Sequence, residues 1–228
     1  SVVRTEGYDA RIFDANIEAQ PFRTLEKIIK DYKPDVVGIS FTSALAKGAH
    51  HMAGVIKKSN PGITIVAGGY HPTVVPSEVM SDRNFDFVVV GEGEDTIIEW
   101  LDAYESGKDN FSSIDGLVHR KGDSIIQNRK RALIEDVDHL PLPAYDLLRI
   151  DRYGSFVSTS SHFTTFIRSR GCPFNCIFCG VQEMFGRRYR CQSPGKTISD
   201  IDILAEKFHI KEILFKDSDF LIDRSNVE

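Results

Sequence analysis

Residues Val36–Thr73 read VVGISFTSALAKGAHHMAGVIKKSNPGITIVAGGYHPT. Two short, nearly all-apolar runs, Asp35–Ser40 and Thr64–Ala67, bracket a segment of helical length, Ala44–Lys58. Apolar runs without alternation are the mark of strands buried on both faces, and a parallel pair needs a crossover of this length. A third run, Phe85–Val90, follows after a further helical stretch, Pro76–Asp82. Upstream, Phe22–Asp31 carries Leu25, Ile28 and Ile29 at helical spacing, and Ala10–Asp14 reads as another strand. Downstream, Asp95–Glu105 places Ile97, Ile98, Trp100 and Leu101 on one stripe, which makes Trp100 a core residue. Strand and helix alternating at this period predict an open, parallel α/β sheet of Rossmann-like type with right-handed crossovers.

Beyond that sheet, GLVHRKGDSIIQN (residues 116–128) holds two strand-like runs around Lys121-Gly122-Asp123, a hairpin signal. LPLPAYD (residues 140–146) is proline-rich and predicts an extended linker. A second α/β unit then begins: strand Thr164–Ser169, a cysteine loop, helix Lys196–Phe208 and strand Glu212–Lys216. The expected division is residues 1–112, then 113–162 as hairpin and linker, then 163–228. Ser1–Gly7 reads as the last turn of a helix with Gly7 as its left-handed cap, so the expectation is an internal fragment that lacks a first strand.

Composition removes several classes. Of 228 residues, 41% are hydrophobic and 27% charged, which is enough apolar material for a core and too much for disorder. No run of about 18 apolar residues could span a bilayer, and the opening SVVRTEG is no signal peptide, so a cytoplasmic protein is expected. A net charge of −5, from 28 basic against 33 acidic residues, argues against a nucleic-acid partner.

Cys172, Cys176 and Cys179 stand in the loop RSRGCPFNCIFCG, directly after a strand. Three of the four cysteines within eight positions point to metal rather than to a disulfide framework. Pro173 and the flanking Gly171 and Gly180 let the backbone fold around one centre. Structural zinc takes four ligands in paired knuckles, and His162 and Cys191 stand at no recognised zinc spacing. A thiolate triad suits an iron–sulfur cube with one iron left open. The competing readings are a zinc site completed by Cys191 and three buried cysteines with no metal.

CPFNCIFC after a strand resembles the signature of the radical S-adenosylmethionine (radical SAM) superfamily. The likeness continues through RRYRCQSPGKTISDIDILAEKFHIKEILFKDSDFLID (residues 187–223). The resemblance implies the first βαβ part of a partial TIM-type barrel. It implies a 4Fe-4S cluster held by Cys172, Cys176 and Cys179, with Phe178 against the adenine of S-adenosylmethionine. It also implies one-electron cleavage of that cofactor to methionine and a 5′-deoxyadenosyl radical, the electron coming from a donor such as flavodoxin or ferredoxin. Asp217 falls where such proteins turn polar groups toward the methionyl end; a solvated turn is the alternative for Asp217 and Asp219. Gln192 departs from the family's usual Arg. Cys191 reads as a core or boundary thiol, and Arg187, Arg188 and Arg190 as a solvated basic surface or an anion clamp.

The strand ends of the first sheet are Ser40–Ala44, Gly68–Thr73 and Gly91–Glu94. Ligands of open α/β sheets bind at such ends. Gly68 and Gly69 let a ligand approach the backbone, while Ser40, Thr42, Ser43 and Thr73 offer hydroxyls. No dinucleotide or P-loop motif follows a strand. The order of the segment quoted first, together with the linker LPLPAYDLL, resembles the cobalamin-binding domain joined to radical SAM barrels. That resemblance implies a corrinoid over the strand ends, with Ser40, Thr42, Gly68, Gly69 and His71 beside it. His71 reads as a loop residue near the nucleotide tail rather than an axial ligand. His50 and His51 are helix neighbours whose side chains point about 100° apart, so they read as surface or packing residues. Glu92 and Glu94 cap the next helix or face the ligand. The function so implied is methyl transfer or cyclisation on a small organic substrate. The alternatives are a radical SAM enzyme whose sheet holds no cobalamin, and a non-catalytic metal-binding regulatory protein.

Overall fold

The structure is a computed structural model that describes residues 1–154, 157–160 and 162–227. It opens on one helical turn, α1 (Val2–Thr5), and Gly7 follows at φ 91°, the left-handed cap its position required. Helix α2 (Pro21–Tyr32) starts on proline at its first turn and ends at Lys33, left-handed at φ 51°, just before Pro34. Both devices are local: proline fits a helix start, and the residue before a proline is pushed out of helical space. The chain divides into two compact units, Glu18–Leu133 and Ser1–Ile17 with Ile134–Glu228.

The first unit is a five-stranded sheet in the spatial order β1 (Val36–Ser40), β2 (Thr64–Gly68), β3 (Phe87–Val89), β4 (Leu117–Lys121) and β5 (Ser124–Gln127). The first three strands are parallel, with Val36 opposite Thr64 and Val66 opposite Phe87. Helix α3 (Ala46–Ser59) links the first pair, and α4 (Tyr70–Val74) with α5 (Pro76–Ser81) links the second. In α3, Ala49, Ala53 and Ile56 are buried at positions i, i+4 and i+7. The hairpin formed as its Lys-Gly-Asp turn predicts, with Gly122 at φ 61°. Its place was not foreseen: β4 pairs antiparallel with β3, so the sheet is mostly, not wholly, parallel. Helix α6 (Glu94–Glu105) then packs Trp100, fully buried, with Val66, Val89, Ala103, Ile114 and Leu117. Truncating such a tryptophan costs about 3–5 kcal/mol.

One expected strand is absent. Ala10–Asp14 carries no strand assignment, and Ile12 is exposed. An isolated β-segment without a neighbouring ladder has no partners for its backbone groups, and among the described residues none pairs with it.

The second unit holds β6 (Phe163–Phe166), β7 (Ser169–Arg170), α7 (Val181–Phe185), β8 (Arg190–Cys191), α8 (Pro194–Phe208) and β9 (Glu212–Phe215). Strands β6 and β9 are parallel neighbours, joined through α8. That helix has Ser193 as its N-cap, accepting from the Lys196 amide, and proline at its start. Leu204 packs with Tyr145, Phe166 and Ile210 in this unit's core, and the Tyr145 hydroxyl donates to the Thr165 carbonyl at 2.9 Å. No described helix is long and apolar enough to cross a membrane.

Candidate functional site

In the first unit the carboxyl ends of β1 and β2 are stitched together by backbone bonds. The Phe41 amide donates to the Gly68 carbonyl at 3.2 Å and the His71 amide to the Phe41 carbonyl at 3.2 Å. Gly69 adopts φ 90°, and a β-carbon there would stand 2.7 Å from Ser40 Oγ and 3.1 Å from the Phe41 amide nitrogen. Glycine is therefore required at Gly69 by both torsion and space. Gly68 differs: its nearest obstacle to a β-carbon is the Val89 carbonyl at 4.0 Å, so its bareness serves no packing need.

Thr73 ties the third strand end in, its hydroxyl accepting from the Gly91 amide at 3.0 Å. The His71 ring lies 5.5 Å from the Phe41 ring, with Nδ1 3.0 Å from Ser43 Oγ. Its Nε2 is buried without a hydrogen-bond partner. Thus Ser40, Gly68, Gly69 and His71 meet at one edge of the sheet, and Thr42 lies on the same loop just ahead of Ser43. A strand-end surface with one bare glycine and an orphaned imidazole nitrogen suits a large polar ligand such as a corrinoid.

His50 and His51 do other work. His50 Nδ1 is 2.6 Å from Asp82 Oδ2, and its ring packs against Phe85 and Phe41; His51 stands edge-on to Phe22. His50 is a packing residue and His51 an exposed one on the helix surface, within the surface-or-packing reading of their helix positions. Glu94 opens α6 and helps its dipole, whereas Glu92 is buried.

In the second unit the cysteine loop leaves β7 at Gly171, φ 82°, and returns through α7 to β8. The Cys172 amide donates to the Gly186 carbonyl at 3.3 Å, and the Cys179 amide to the Cys176 carbonyl at 3.1 Å. All cysteines are free; Cys172 is half-buried, and Cys176 and Cys179 are exposed. Phe178 is 89% exposed and Ile177 fully so. Three free thiols on one loop match an iron–sulfur cluster in kind and in number. Their side chains do not converge on a common centre as spacing suggested they could: among the described residues no three His, Cys, Asp or Glu groups are gathered for a metal.

Beside this loop lies a polar layer that the sequence did not reveal. Asp217, just past β9, accepts a hydrogen bond from the Ser169 hydroxyl through Oδ1, while its Oδ2 is buried and unpartnered. It is no solvated turn. Arg190 is buried too and donates to the carbonyls of Ile134 and Phe185, which removes it from the expected basic surface. Arg187 and Arg188 stay exposed, and Arg188 pairs with Glu135. Gln192, where Arg is usual, donates to Asp200 Oδ2 at 3.0 Å. Cys191 receives the Asn226 side-chain amide at 2.6 Å, and burial pushes its thiol up. Burial likewise raises Tyr189.

The family model that matches describes a B12 binding domain and covers residues 1–101. An uncharacterized methyltransferase of Pyrococcus horikoshii is 37% identical over 98% of this chain and 48% of its own length. The anaerobic magnesium-protoporphyrin IX monomethyl ester cyclase of Rubrivivax gelatinosus is 26% identical, over 97% of this chain and 40% of its own. Its first 101 residues thus match the B12 binding domain family, and over nearly its whole length the chain is similar to a methyltransferase and a cyclase. A solved structure, the radical SAM methyltransferase TsrM of Kitasatospora setae with cobalamin and a [4Fe-4S] cluster bound, superposes with a TM-score of 0.76. That likeness, at 15% identity, covers 99% of this chain and 45% of TsrM, and it concerns the fold. The chain thus spans about half the length of the relatives it matches.

Proposed function

We propose that this chain carries the cofactor-binding part of a cobalamin-dependent radical SAM enzyme that methylates or cyclises a small organic substrate. The observation that carries the reading is the free-cysteine loop Cys172–Cys179, set after the strand of a βαβ unit in a chain whose first part is a B12 binding domain. In this reading the unit around the sheet holds cobalamin and the unit with the cysteine loop holds the cluster and S-adenosylmethionine.

Cys172, Cys176 and Cys179 would be the cluster ligands, and the exposure of Cys176 and Cys179 leaves their side chains room to turn inward. Phe178, equally exposed, would lie along the adenine. Asp217 would use its unpartnered Oδ2 to accept from the ammonium of the methionyl end, a charge-assisted bond. Ser40, Thr42, Gly68, Gly69 and His71 would line the corrinoid: the hydroxyls and His71 Nε2 as polar contacts, and Gly68 as the point of close approach. When bound, the reduced cluster supplies the electron that splits S-adenosylmethionine into methionine and a 5′-deoxyadenosyl radical, and cobalamin supplies the transferable methyl group. The residues of the chain orient these groups and keep water from them. A flavodoxin or ferredoxin as donor and a cytoplasmic site of action complete the proposal.

Anaerobic iron–sulfide reconstitution tests it. Cluster absorption that bleaches with dithionite, reductive cleavage of S-adenosylmethionine, and hydroxocobalamin colour retained on gel filtration are expected. Stoichiometric zinc with no iron would refute it.

A further inference from the structure

Asp217 does not hold its own position. It stands at the start of the segment that follows β9, and that segment is fastened to the first strand of the unit chiefly by Arg168, in the short gap between β6 and β7. Arg168 is buried, with 3% of its surface exposed. Its guanidinium donates through one terminal nitrogen to the Phe220 carbonyl at 3.1 Å and through the other to the Asn226 carbonyl at 3.4 Å. It also lies 4.4 Å from the centre of the Phe220 ring. The planar fork thus ties residues 220 and 226 of the loop together, and neither a lysine nor an apolar residue could bridge two carbonyls and cover a ring together. Ser169, the next residue, donates to Asp217 Oδ1, while the Lys216 amide donates to the Phe166 carbonyl at 2.8 Å. Arg168 and its neighbour Ser169 therefore clamp the loop and orient the carboxylate that it carries. Burying a guanidinium is costly, and it persists where its bonds organise something.

We infer that Arg168 is a positioning residue for Asp217: it holds the loop so that Oδ2 faces the methionyl ammonium of S-adenosylmethionine. This inference rests on the reading of Asp217 above. A positioning role has a signature that general loss of structure lacks. 5′-Methylthioadenosine shares the nucleoside with S-adenosylmethionine but has no methionyl ammonium, so its binding ignores Asp217.

The experiment is equilibrium dialysis of both ligands against the anaerobically reconstituted protein, for wild type, Arg168→Met, Asp217→Asn and the double variant. Arg168→Met and Asp217→Asn should each weaken S-adenosylmethionine by about tenfold, the scale of one charge-assisted hydrogen bond, with methylthioadenosine unchanged. The double variant should be no worse than Asp217→Asn alone, because the two residues act as one unit. Additive losses, equal weakening of both ligands, or no loss in Arg168→Met would each overturn the role. If Arg168→Met does not fold, Phe220→Leu, which removes the ring under the guanidinium, must show the same selective loss. Wild-type protein that binds neither ligand would refute the underlying reading; binding by wild type with additive losses would refute the positioning role alone.

Discussion

Gly171 sits hard against the backbone carbonyl of Arg188. A β-carbon at Gly171 would collide with that oxygen and stand 3.3 Å from the Gly186 carbonyl, and its φ of 82° disfavours any side chain as well. The start of the cysteine loop is therefore wedged against its return. Gly171→Ala should lower unfolding free energy by about 2 kcal/mol or more, since torsional strain and a backbone clash add. A urea titration measures it, and reconstituted iron per chain should fall in parallel.

The fourth cysteine separates a cluster from a generic thiol site. Cys191 lies on β8, outside the loop that holds the other three, and its sulfur accepts a hydrogen bond from the Asn226 side-chain amide. Alanine at Cys172, Cys176 or Cys179 should each abolish most of the absorption of the reconstituted cluster, whereas Cys191→Ser should retain it. Loss of iron in the Cys191 variant would revive the reading of four protein ligands.

The two adjacent glycines at the end of β2 should behave differently. Gly69→Ala meets Ser40 Oγ and the Phe41 backbone at φ 90°, so a stability loss of about 1–3 kcal/mol is expected from strain. Gly68→Ala meets only the Val89 carbonyl at 4.0 Å, and its stability should stay within about 0.5 kcal/mol of wild type. If the corrinoid approaches the strand end there, Gly68→Ala still loses hydroxocobalamin affinity, measurable by absorbance after gel filtration.

Alkaline titration should reveal the pair Tyr153–Asp14. The Tyr153 hydroxyl donates to Asp14 Oδ2 at 2.8 Å, and burial first, then that bond and the Asp14 charge, push the phenol up to about 12. An ordinary tyrosine loses its proton near pH 10, so between about pH 10 and 12 the folded chain holds a proton that the unfolded chain has released. The stability from this group is whole below pH 10 and is lost as pH climbs to 12. The urea midpoint of wild type should fall more steeply over that window than that of Tyr153→Phe; parallel slopes would contradict the assignment.

Much of the candidate site was legible because its signals are short. Cys172, Cys176 and Cys179 announce themselves by spacing, and Gly68-Gly69 by standing at a strand end. Asp217 was placed only by resemblance, since a carboxylate in FKDSDF carries no periodic signal; its tie to Ser169 spans 48 positions. Arg168 and Arg190 were invisible as buried groups. A lone arginine in a polar loop looks solvated until the fold supplies carbonyls, and those accepting from Arg168 lie 52 and 58 residues away.

By itself the sequence determined the alternation of β1, α3, β2, β3 and α6, the helix α8 ahead of β9, and the loop that carries three thiols. Those features depend on side-chain period, proline, glycine and capping groups within a few residues of one another. Tertiary structure decided that the hairpin extends the sheet at β3, that Ala10–Asp14 finds no ladder, and that Asp217 is held by Ser169 of β7. Each of those outcomes depends on which distant backbone groups find partners, a competition that no local pattern records.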